Sequence, residues 1–93
     1  MIQTAFVTRE YNRDQIIELE GITSLAVLNN SRVYVIVNGR KIRPNNKETI
    51  VTGDNTWSNL IINLSFTTET VTNNPQITAL PLQSVLLIYK KIV

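Results

Sequence analysis

Val33-Tyr34-Val35-Ile36-Val37-Asn38-Gly39-Arg40-Lys41-Ile42-Arg43 is the stretch whose reading decides the fold. Five β-forming residues run into Asn38-Gly39, the dipeptide that supplies positive φ at both centres of a type I′ turn. That turn matches the twist of the strands it joins, so the segment predicts a two-residue hairpin with a fixed register. Val37 then faces Arg40, Ile36 faces Lys41, Val35 faces Ile42 and Tyr34 faces Arg43. Val33, Val35, Val37 and Ile42 share one face, which is read as the core side.

Outward from the hairpin, turn signals punctuate the chain. Asn29-Asn30-Ser31 precedes it, and Pro44-Asn45-Asn46-Lys47 follows it. Further on come Gly53-Asp54-Asn55, Thr72-Asn73-Asn74-Pro75 and Leu80-Pro81. Between them the sequence predicts strands at 3–8, 15–19, 23–28, 49–51, 57–66 and 84–92. Leu60, Ile62, Leu64 and Phe66 alternate with Ile61, Asn63 and Ser65, the period of a half-buried strand. In the last segment Val85, Leu87 and Tyr89 fall on one face and Leu86, Ile88 and Lys90 on the other. Both faces are largely apolar, so this strand is central or turns one face to another subunit. Asp14 to Glu20 also fits a single helical turn capped by Asp14, although Gly21 stops it and Gln15, Ile17 and Leu19 alternate as in a strand.

Short strands at this spacing predict an all-β chain: a small antiparallel β-sandwich or jelly-roll-like barrel, with residues 1–93 as a single domain. Composition agrees. Hydrophobic residues make up 43% of the 93 and charged residues 17%, enough apolar surface to build a core and too little charge for disorder. Much of the remaining polarity is threonine, which suits pleated surfaces, and asparagine, which suits turns. A chain of this size buries a modest share of its surface when it folds, so association would add to its stability.

The inventory excludes most catalysis. The chain has no histidine and no cysteine. It therefore lacks the commonest general base, the usual zinc ligands and any disulfide. Gly21, Gly39 and Gly53 are scattered and form no phosphate-cradling motif. Of the carboxylates, Glu18 and Glu20 would share a strand face near Glu10 and Asp14, and they are read as solvated or ion-paired. Asp54-Asn55 is read as a turn and not as a calcium site, which needs more oxygen ligands close together. No catalytic residue, cofactor or metal is expected, and the chain is read as a non-enzyme. It has no apolar run of spanning length, and its start lacks the layout of a signal peptide, so the expected product is made in the cytoplasm without a membrane span.

Two features remain as candidate interaction residues. Arg40, Lys41, Arg43 and Lys47 place four positive charges within residues 40–47, in a chain of net charge +2. Tyr34, opposite Arg43, is the one aromatic near them. A solvated or acid-paired hairpin tip is the plainer reading; nucleic-acid contact, as on a small oligonucleotide-binding barrel, is the third. Trp57, with Tyr11, Tyr34 and Tyr89, would make a sugar-stacking platform if exposed in a row, and is otherwise core or interface.

The stretch from Val33 to Pro44 resembles a signature of bacteriophage fibre and virion-surface domains, in which a β-run enters V-N-G and ends at a proline or glycine turn. The same order continues through Leu60 to Phe66, Ala79-Leu80-Pro81 and Val85-Leu86-Leu87-Ile88-Tyr89, covering about residues 25–90. The chain departs from that pattern at Glu48-Thr49-Ile50 and at Leu82-Gln83-Ser84. The resemblance implies a structural component of a virion, such as a capsid decoration, head-fibre, spike or tail subunit. Its partners would be copies of itself and other virion proteins. The second reading is a carbohydrate- or receptor-binding β module with a host-surface glycan as partner.

Overall fold

A computed structural model describes residues 3–51, 58–70 and 74–92. The Gly53-Asp54-Asn55 turn, Trp57 and Thr72-Asn73 lie outside the described residues. Seven strands follow in the order β1 (Thr4–Tyr11), β2 (Gln15–Asn29), β3 (Val33–Val37), β4 (Arg40–Ile42), β5 (Lys47–Val51), β6 (Ser58–Thr70) and β7 (Val85–Ile92), with a one-turn helix α1 (Pro75–Thr78) before the last. They form one antiparallel sheet in the order β1-β7-β2-β6-β3-β4, with β5 also paired to β2. The all-β antiparallel class read from the sequence is the class of the fold.

The hairpin has the expected register: Val35 pairs with Ile42, Ile36 with Lys41 and Val37 with Arg40. Asn38 and Gly39 have φ of 50° and 83°, the left-handed pair that a type I′ turn requires. Val33, Val35, Val37 and Ile42 are all buried. The ladder stops at Ile42, so Tyr34 does not pair with Arg43; Lys41 lies over the Tyr34 ring instead, 4.7 Å from its centre. The turn is also docked sideways onto β6. The Asn38 N–H donates to the Asn63 carbonyl at 3.0 Å, and the Asn63 N–H donates back to Asn38 Oδ1 at 2.7 Å.

β2 is one strand where the sequence suggests two. Its first half pairs with β6, from Gln15 opposite Leu64 to Ile22 opposite Ser58. Its second half pairs with β7 from Ile22 to Asn29, and with β5 along the other edge from Leu25 to Leu28. The change of partner falls at Ile22, which pairs with both β6 and β7, and Gly21, whose φ is +66°, lies within the register shift just before it. A glycine in left-handed conformation adds a residue to the strand and bends it, and strands that change partner at such corners let a sheet fold over its own face. The two halves accordingly share one core: Ile17 and Leu19 from the first, Leu25 and Val27 from the second, with Val35, Val37, Ile62, Leu64, Val85, Leu87 and Tyr89.

The helical alternative at 14–20 does not form. Asp14 caps no helix; its carboxylate accepts from the Phe66 N–H at 2.8 Å, tying the start of β2 to β6. The helix present instead is α1, where the sequence suggests only a turn. Asn74 accepts from the Gln76 N–H at 3.0 Å, and Pro75 follows in the first turn, an Asn-Pro start that suits a helix N-terminus.

Asn29 closes the end of the core. It is fully buried, and its Nδ2 donates to the carbonyls of Val33 and Ile42, each at 3.0 Å. Its Oδ1 accepts from the Ser31 N–H at 3.1 Å and from the Ser31 hydroxyl. One amide thus satisfies polar groups at the end of β2, the start of β3 and the end of β4.

Candidate assembly surface

Two of the four cations at the basic hairpin tip are paired with acids. Arg40 pairs with Glu48 at 3.2 Å, and Lys41 pairs with Glu69 while covering Tyr34. Both pairs are exposed, so they contribute at most about 1 kcal/mol each to stability, but they remove much of the field a polyanion would feel. Arg43 is exposed beyond the end of β4. The acid-paired tip is therefore the arrangement present, with partners drawn from β5 and β6 that the local sequence does not reveal.

The aromatic platform is divided. Tyr34 sits half-buried on the outer face of β3, whereas Tyr11 and Tyr89 line a cleft of about 270 Å³ on the inner side of β1 and β7. Arg9, Lys91, Glu18 and Glu20 surround that cleft, and Ile17, Leu19 and Ile22 form its floor. Burial, with a smaller contribution from Tyr89, holds the Tyr11 phenol above its ordinary pKa, while Arg9 partly offsets this. Of the four carboxylates noted above, Glu10 accepts from the Ser84 hydroxyl at 3.2 Å and Asp14 from Phe66, so both have structural duties. Among the described residues no group of three or more metal-ligating side chains converges, and no helix is long and apolar enough to cross a membrane.

The larger surface feature is the outside of the β1-β7-β2 sheet. β7 runs between β1 and β2, and its Val85, Leu87 and Tyr89 face is buried. The opposite face, with Leu86, Ile88 and Ile92, is half-buried. Cross-strand pairing extends this outer row: Ile88 is opposite Thr8 on β1 and Ala26 on β2, and Leu86 is opposite Leu28. Phe6 stands on the same face, 73% exposed, with the Lys90 ammonium 5.3 Å from its ring centre. β1 itself buries little; only Val7 and Tyr11 lean on the core. The sequence reading ends this strand at Thr8, but pairing continues to Tyr11 opposite Val85. The extension carries Arg9, Glu10 and Tyr11 onto the edge.

No protein-family model, no curated protein and no solved structure matches the chain.

Proposed function

We propose that this chain is a non-enzymatic structural subunit of a bacteriophage particle, a capsid decoration, head-fibre, spike or tail component that works by packing against copies of itself and other virion proteins. The observation that carries the reading is the outer sheet face. Leu86, Ile88 and Ile92 of β7 with Ala26 and Leu28 of β2 form an apolar row that the chain leaves only half-buried. Next to it Phe6 is almost wholly in solvent. Lys90 stands between Ile88 and Ile92 on this face, and the apolar surface gathered beside it suits contact with another protein. The resemblance of residues 25–90 to virion-surface domains and the absence of histidine and cysteine point the same way.

Light scattering over micromolar concentrations, with binding assays against phage capsid and tail proteins, tests the reading. Concentration-dependent oligomers or specific binding to those proteins are expected. A monomer without affinity for any of them overturns it.

One observation favours a second reading, a carbohydrate-binding module. Tyr11 and Tyr89 share a cleft with Arg9, Lys91, Glu18 and Glu20, aromatic faces beside hydrogen-bonding groups of both charges, a set suited to a neutral sugar. A glycan array would then show binding that Tyr11→Ala abolishes, and the array staying blank removes this reading.

A further inference from the structure

We propose that β1 pairs with β1 of a second copy of this chain, antiparallel and about a two-fold axis at Val7, so that two sheets become one. The inference rests on the assembly reading above and specifies its contact.

A sheet's outermost strand presents unpaired backbone groups, and proteins ordinarily protect such strands by making them short, bulged, proline-bearing or charged along their length. The two ends of this sheet differ. At one end β4 is three residues long, two of them basic. At the other, β1 runs for eight residues without proline and pairs with β7 in unbroken register from Thr4 to Tyr11. Its charges, Arg9 and Glu10, are confined to its last part. Six of those eight residues are exposed and the other two only partly buried. This edge is a template for another strand, and nothing within the described residues covers it.

Self-complementarity selects the occupant. Side chains alternate between faces, so a pairing that keeps both outer faces on one side must match residues of like parity. The register centred on Val7 uses residues 4–10 and places Thr4 opposite Glu10, Ala5 opposite Arg9, and Phe6 opposite Thr8. It opposes no like charges. Centring instead on Arg9 would set two guanidinium groups against each other, and centring on Thr8 would face Phe6 with Glu10. The Val7 register also brings the two Phe6 rings to diagonal positions on the outer face, continuing the apolar row across the junction. An edge ladder alone is a small interface, so the contact suits a lattice in which many weak joints act together.

Ala5 and Arg9 give the test, because both are exposed and the register makes them direct neighbours across the axis. Dimer dissociation is measured by sedimentation equilibrium for the parent chain, Ala5→Glu and Ala5→Arg. Two such pairs occur per dimer, so Ala5→Glu should tighten the dimer and Ala5→Arg loosen it, each by a factor of about three to ten, with the difference shrinking in high salt. The chain has no native cysteine, so Val7→Cys should give a disulfide-linked dimer on mild oxidation that Lys47→Cys does not. A dimer indifferent to both Ala5 changes, or no cross-link at Val7, overturns this contact while leaving assembly through the outer face intact. A chain that remains monomeric throughout and binds no virion protein overturns both.

Discussion

Asn29 and Thr23 lie on the same strand, and both are buried polar residues with opposite consequences. Asn29 satisfies the carbonyls of Val33 and Ile42 and accepts from Ser31, so Asn29→Ala would strand several buried groups. Each such group costs about 1–3 kcal/mol, and a loss of about 3 kcal/mol in urea unfolding is expected. Thr23 is 2% exposed, and its hydroxyl has no partner. Thr23→Val keeps the branched shape and removes the orphaned group, so it should raise stability by about 1 kcal/mol in the same measurement. Tyr11 adds a pH dependence. Its phenol pKa is raised chiefly by burial, so the folded chain holds that proton more tightly than the unfolded one. The resulting stability is whole below the ordinary tyrosine pKa of about 10 and is lost as pH rises through the folded value. Thermal melts of Tyr11→Phe should therefore decline less than those of the parent chain between pH 9 and pH 11.

At the scale of the element, the hairpin and β2 show what local sequence reveals and what it does not. Asn38-Gly39 determines the hairpin register because the requirement for positive φ at both positions is local. Alternation likewise marks the buried faces of β6 and β7, since period two is a property of the strand itself. β2 reads as two strands because Gly21 looks like a turn. It is a bend, and only the tertiary partners β6 and β7 make it one by pairing on either side. The ion pairs of Arg40 with Glu48 and Lys41 with Glu69 join residues 8 and 28 apart, beyond any local pattern, so the tip's charge is overestimated from sequence. The candidate surface divides the same way. The two-sided apolar β7 is visible in the sequence, whereas exposure of the β1 edge depends on strand order. Gly21→Val places a β-branched side chain at φ +66°. The added Cβ meets the Ile92 Cβ only at ordinary contact distance, 3.9 Å, so the cost is backbone strain of about 1–3 kcal/mol. A fall of that size in unfolding free energy, with the β-type circular dichroism retained, is the expected result.

For the whole molecule, the deciding question is which of its surfaces a partner covers, and charge and apolar area give different answers. The nucleic-acid reading depends on the field of Arg40, Lys41 and Arg43, and two of these three are already paired with acids. Binding to a polyanion releases counterions and weakens steeply with salt. The assembly reading depends on apolar contact at the outer sheet face, which salt does not screen. Ile88 is the discriminating position because it stands at the middle of that face, between Thr8 and Ala26, on the side of β7 away from the core. Ile88→Lys adds a positive charge to the chain, so it should leave nucleic-acid affinity equal or greater. It should also break association through that face, because an ammonium buried at an apolar contact has no partner there. Light scattering of this variant across a salt series, with and without an oligonucleotide, measures both effects. Loss of every oligomer beyond the β1-paired dimer at every salt concentration, with native circular dichroism, places the contact on the outer face; undiminished larger oligomers would move it elsewhere on the molecule.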